Sequence, residues 1–188
     1  MGFYRPSRIL QGQSNYKRII RKITDSKSGI GIACLSETYD NTLMWAHYAG
    51  NYTGVCFGYS AKKLLKGLPG SAALVRLSYV DQPPLIYPSH TKDAASAARQ
   101  ILSQKQYNWF YEREWRVLAS VGISSYGHQK ALSHIYFGSR TDPKHQAKIL
   151  NAIRGKDIKA YKMEVDGYDR SWKEVKIPSR PVKKSGKS

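Results

Sequence analysis

Long apolar runs are missing from this chain. No stretch approaches the roughly 20 consecutive apolar residues that cross a bilayer, and the N-terminal region lacks a signal-type apolar core. The reading is a soluble, intracellular, cytoplasmic protein. Cysteine is scarce: Cys34 and Cys56, both in apolar runs, lack a second pair to build a zinc site and read as buried free thiols. Acid is scarce too, with 13 Asp and Glu against 31 Lys and Arg. The G-x-G-x-x-G and Walker-type patterns are absent, which removes the two commonest glycine-based phosphate fingerprints. The sequence shows no internal repeat. No Ser/His/Asp order or metal-ligating cluster stands out, so no metal is expected.

What is present fits one folded domain. The 188 residues are 41% hydrophobic and long enough to bury about two-thirds of their unfolded surface. The net charge of +18 is uneven. Residues 1–30 hold seven Lys/Arg and one acid, whereas residues 31–60 hold no Lys/Arg and two acids. A basic periphery around a neutral centre attracts nucleic acid or another polyanion, or an acidic protein partner. Its plain alternative is a charge that only keeps the protein in solution.

In chain order, residues 1–12 read as a loose lead-in. Tyr16, Ile19, Ile20 and Ile23 follow helical spacing, with Lys17, Arg18, Arg21 and Lys22 on the opposite face. That face is either merely solvated or turned toward phosphates. Residues 30–36 read as a buried strand, and Asp40 as the cap of a helix through Leu43 to Tyr48. Gly54 and Gly58 in the next strand imply close approach of another backbone or a ligand. Residues 73–80 alternate as one strand, and Thr91 caps a helix from Asp93 to about Gln106. A strand is expected from Glu112 or so to Ala119, a loop over 120–130, and a strand at 132–138. Asp142 and Pro143 open a helix to Arg154 that Gly155 stops. Two strands, 158–165 and 172–177, close the fold. The organisation expected is a basic lead-in and helix (1–29), one α+β domain (30–177) and a disordered basic tail (178–188). Within the domain, a mixed, mainly antiparallel sheet carries flanking helices.

Four stretches carry chemistry. Around Trp45-Ala46-His47-Tyr48, His47 is either a satisfied core histidine or a pocket residue. In Glu112-Arg113-Glu114-Trp115-Arg116, strand alternation places Glu112, Glu114 and Arg116 on one face. Two carboxylates at this spacing can divide labour at an oxocarbenium-like centre, or simply pair with Arg113 and Arg116. Ser36 offers a hydroxyl to orient a substrate, or it is a turn residue. Gly138-Ser139-Arg140 precedes a helix N-terminus and is a weak phosphate candidate, with Arg140 adding charge.

Together, Cys34-Leu35-Ser36-Glu37, Met44-Trp45-Ala46-His47-Tyr48-Ala49, Gly54-Val55-Cys56-Phe57-Gly58-Tyr59, Trp109-Phe110-Tyr111-Glu112-Arg113-Glu114-Trp115-Arg116 and Ile135-Tyr136-Phe137-Gly138 resemble a bacterial and phage family of unknown function, DUF2971. The family's F-N-D-P-F segment is not found here. More remotely, the E-x-E leading into a strand is similar to the ADP-ribosyltransferase superfamily. That similarity implies an ADP-ribosyltransferase using NAD, with Glu114 as the catalytic carboxylate and Glu112 activating the nucleophile. His47, Tyr48, Trp45, Ser36 and Arg116 would then hold NAD. A toxin or phage–host conflict effector acting on or near nucleic acid is the implied setting. The alternative is a non-catalytic basic nucleic-acid-binding module with contacts at Lys17, Arg18, Arg21, Lys22 and Arg140, or an inhibitor of a host protein.

Overall fold

A computed structural model describes residues 4–122 and 130–178. The tail from 179 onward and part of the expected 120–130 loop lie outside the described residues. The first half of the chain forms β1 (Arg5–Pro6), α1 (Arg8–Gln11), α2 (Tyr16–Ser28), β2 (Ile30–Ser36), α3 (Thr42–Tyr48), β3 (Val55–Tyr59), α4 (Ala61–Gly67), β4 (Ala73–Arg76), β5 (Ser78–Val80) and β6 (Leu85–Ile86). The second half forms α5 (Ala94–Leu102), β7 (Gln104–Gln106), β8 (Glu114–Ser120), β9 (Leu132–Phe137), α6 (Pro143–Ala152), β10 (Lys159–Asp166) and β11 (Asp169–Glu174). The class is α+β with mainly antiparallel pairing, as the sequence implies. Among the described residues no helix is long and apolar enough to cross a membrane. The chain divides into two compact units, Met1–Thr38 with Leu68–Tyr126, and Tyr39–Gly67 with Gly127–Ser188.

The first unit is built on an antiparallel sheet in the order β2-β8-β4. Beside it, α2 turns Ile23 inward with Ile19 and Ile20, against Leu10, Ile86, Ala97 and Ile101. The helical spacing read from the sequence is the reason: those residues share one stripe and the basic residues face water. Several expectations need correction here, beginning with the loose lead-in over 1–12, since Leu10 of α1 is fully buried in this core. The segment 73–80 is two strands, because the chain changes partner at Leu77: β4 pairs with β8, and β5 pairs in parallel with β7. The helix expected to reach Gln106 stops at Leu102, where Gln104–Gln106 is drawn into that pairing. Its cap is Asp93, which accepts the Ala95 N–H at 3.0 Å, rather than Thr91. Finally, β2 is not a buried strand. It is the sheet's edge, and Ile32, Ala33 and Cys34 are exposed. Cys34 and Cys56 are free as expected, but Cys56 is half-buried and neither is enclosed in a core.

In the second unit the sheet order is β11-β10-β9-β3, with only the β9–β10 pair parallel. On one face Ile135, Phe137 and Ala160 pack with Leu150 and Ile153 at the end of α6. On the other, Trp45 of α3 packs with Tyr136 and Met163. The α6 cap is as read: Asp142 accepts the Lys144 N–H at 2.6 Å, with Pro143 at the first turn. The α3 cap is not. Asn41 accepts the Met44 N–H at 3.1 Å, while Asp40 pairs with Arg170 at 3.1 Å. After α3 the chain takes three left-handed residues in succession, Gly50, Asn51 and Tyr52, at φ of 53°, 53° and 71°.

Candidate functional site

The acidic pair sits where a short helix becomes a strand. The aromatic run Tyr107–Glu112 winds into a 3-10 helix, and Arg113 ends it in the left-handed region at φ 45°. So β8 begins at Glu114, not at Glu112, and the two carboxylates are not strand neighbours as the alternation implied. They converge nonetheless. Both are buried, Glu112 at 3% and Glu114 at 4% exposure, and both bind the Lys105 ammonium of β7. The Lys105–Glu114 distance is 2.9 Å. Arg116, two residues along β8 on the same face, closes on Glu114 from the other side. Its Nε donates to Glu114 Oε1 at 2.7 Å, and its Nη1 to the Leu102 carbonyl at 2.6 Å.

Two acids and two bases thus share one enclosure, and buried charges persist only when paired in this way. Desolvation pushes the Glu114 carboxyl up, but hydrogen bonds from Arg116, Cys34 and Lys105 outweigh it and hold the group at about 2. Desolvation lowers Lys105, and its bonds to Glu112 and Glu114 reverse that and raise it. Although the residue as a whole is exposed, partial desolvation of its sulfur, together with the Glu114 carboxylate, pushes the Cys34 thiol up, away from thiolate character.

Ser36 joins the same cluster through register, since β2 lies antiparallel to β8 with Ser36 opposite Glu114. Its hydroxyl donates to the Glu112 carbonyl at 2.8 Å and accepts the Thr38 N–H at 3.2 Å. Tyr79 accepts the Glu114 N–H at 2.7 Å. Its ring meets Phe110 edge-on, and Phe110 stacks on Tyr107 at 5.6 Å. Phe110 and Tyr107 are each 52% exposed, which leaves an aromatic surface beside the charged enclosure. Lys105 also lies 5.1 Å from the centroid of Trp109, a cation–π distance.

One unit therefore brings together Ser36, Glu112, Glu114 and Arg116. The other candidates for NAD, Trp45, His47 and Tyr48, belong to the second unit. Trp45 is a core anchor there, donating from Nε1 to the Tyr39 carbonyl at 2.7 Å. His47 and Tyr48 are exposed, their rings 6.3 Å apart. Lys17, Arg18, Arg21 and Lys22 are all exposed on α2. Arg18 and Lys22 border a groove of about 220 Å³ floored by Ile19, Ile23 and Ala94. Arg140 is exposed as well, but the glycine before it has a packing role. A Cβ on Gly138 would meet the Tyr52 carbonyl oxygen at 2.1 Å, and Arg140 N–H donates to that same oxygen at 3.0 Å. The nearby helix N-terminus is already occupied by the Asp142 side chain.

Sequence reasoning missed Lys105, Tyr79 and Cys34. Lys105 carries no local signal, because a Lys between two Gln residues after an alanine-rich helix reads as more helix. A search of curated proteins and of solved structures gives no match. Residues 44–117, the span from Met44 before the Trp-Ala-His-Tyr segment to Val117 just past Glu114 and Arg116, match the family described as Protein of unknown function (DUF2971).

Proposed function

We propose that the chain transfers ADP-ribose from NAD, with Glu112 and Glu114 of the first unit at its reactive centre. What carries the reading is that two buried carboxylates converge on a single cation. The Lys105 ammonium marks a position where positive charge is strongly stabilised. When the C1′–N bond of NAD breaks, nicotinamide leaves with the bonding pair and positive charge develops on the ribosyl carbon. A preorganised, already ionised carboxylate such as Glu114 favours that charge without reorganising at the moment of reaction. The target's nucleophile then bonds to C1′ and gives its proton to Glu112. Lys105 yields its place to substrate in this scheme. Ser36 and Tyr79 bring hydroxyls to the same strand end, and the exposed Phe110 and Tyr107 rings offer a planar ring a surface to pack on.

The test is nicotinamide release from NAD by the full chain, with single-stranded DNA, RNA and cell extract as acceptors. Glu114→Gln keeps the size of the side chain and removes its charge. The expected loss is about 100-fold or more in release with NAD binding retained. Unaltered protein that neither binds nor cleaves NAD, or a Glu114→Gln variant as active as the parent, sinks the proposal.

A second reading has its own support. Both Glu114 oxygens already accept from Lys105 or Arg116, as in a purely structural ion network. On that reading the protein is a polyanion-binding module, and the exposed basic face of α2 with its Arg18–Lys22 groove does the work.

A further inference from the structure

Independently of ribosyl transfer, we infer that the second unit stacks bases of single-stranded nucleic acid on the aromatic face of its four-stranded sheet. Strand alternation puts His134 and Tyr136 of β9 on one face and Ile135 and Phe137 on the other. In the parallel pairing of β10, Lys159 lies opposite His134 and Tyr161 opposite Tyr136, so all four share that face. On the β3 side the residue opposite His134 is Gly58. A Cβ there would come within 2.9 Å of His134 Cβ and 3.3 Å of Tyr136 Cε2, so only glycine lets the two side chains lie close over β3.

The result is a floor of three rings in nearly one orientation. Of these, Tyr136 is buried under Tyr39 and against Trp45 and Met163, leaving His134 and Tyr161 as the accessible part. Tyr136 and Tyr161 are 5.5 Å apart at 18°, His134 and Tyr136 6.0 Å at 17°, and His134 and Tyr161 6.1 Å at 25°. Tyr39 shows how the floor is used. Its ring lies over Tyr136 at 4.0 Å and 7°, face to face, while remaining 41% exposed. This surface therefore already seats one planar ring. Tyr161 and His134, half-buried beside it in the same orientation, extend the floor for others.

Charge selects the owner of those rings. Lys159 is exposed on this face, and the described residues of the second unit, 39–67 and 130–178, contain fourteen Lys/Arg against seven Asp/Glu. An electropositive surface with aromatic platforms fits a strand whose bases are unpaired, because a duplex hides the base faces that stacking needs. Glu174, opposite Tyr161 on β11, repels phosphate at that side, so the backbone runs toward Lys159.

The test uses the full chain and fluorescein-labelled twelve-mers: dT12, U12, an abasic strand of the same length and a duplex. The expected order is dT12 or U12 at least about tenfold tighter than the abasic strand, since each stacked base contributes on that scale. The difference between dT12 and U12 says whether DNA or RNA is preferred. Tyr161→Leu should lose about tenfold on dT12 with no change on the abasic strand, whereas Tyr161→Phe should bind as the parent does. Ultraviolet crosslinking of dT12 to the unaltered chain should place the adduct on Tyr161 or His134, which holds even if Tyr161→Leu does not fold. Equal affinity for dT12, U12, the abasic strand and the duplex, or adducts mapped elsewhere, overturns the inference.

Discussion

Glu114 is buried, ionised and held by three partners, so it is the residue through which acid acts on the first unit. Its carboxyl lies at about 2 in the fold against an ordinary 4.5. The ionised form therefore supports the fold fully above pH 4.5, and that support fades as the pH falls toward 2. The contribution is on the order of 3 kcal/mol by the usual conversion of a pKa shift. Lys105 is displaced upward from 10.5, so its share is complete below that pH and is lost only as the pH rises through its folded value. Urea midpoints measured at pH 7 and pH 3 should drop sharply for the parent chain. The drop should be much smaller for Glu114→Gln, which starts lower at pH 7; equal drops in both would remove Glu114 from this role. At this scale the sequence made Glu114 and Arg116 legible as face-sharing neighbours, because alternation is a local property. Lys105 was not, since the β5–β7 pairing that delivers it joins segments distant in the chain.

Between residue and molecule, the joints of the elements rest on single atoms. Gly138 follows β9 and lies against the Tyr52 backbone, so Gly138→Ala sets a methyl group 2.1 Å from a carbonyl oxygen that cannot swing aside. The expected cost is about 3 kcal/mol, the upper range for overpacking against a fixed neighbour. Asp142→Ala, which removes the α6 cap a few residues on, should cost about 1 kcal/mol. Denaturant titration of both variants gives the comparison, and an alanine tolerated at 138 would mean that the Tyr52 turn is free to move. Helix α2 was readable from periodicity alone, since its Asn15 cap makes no side-chain hydrogen bond. Helix α6 was readable from its apolar stripe and its Asp142–Pro143 start, although it ends at Ala152 rather than the expected Arg154. The break at Leu77 was not, because both flanking pieces have strand-like patterns and only the exchange of partner divides them. Nor did anything local foretell the left-handed Arg113, whose conformation serves the 3-10 helix before it and the β8 register after it.

For the whole molecule, the charge of +18 sets the response to salt. If α2 meets phosphates through Lys17, Arg18, Arg21 and Lys22, replacing all four with Gln should flatten the slope of log affinity against log salt by about 3. Filter binding to a single-stranded oligonucleotide from low to moderate salt measures it, and an unchanged slope would take the helix out of the interface. The basic character was plain from composition alone. The division into two units was not, because each is assembled from two separate stretches of chain and neither stretch looks complete by itself. The face-to-face Tyr39–Tyr136 pair has an optical consequence. Two phenols at 4.0 Å couple their electronic transitions, and Trp45 and Trp172 stand within the same ring cluster. Near-ultraviolet circular dichroism should therefore report the packing of the second unit without any label, as an exciton signal that vanishes when those rings part.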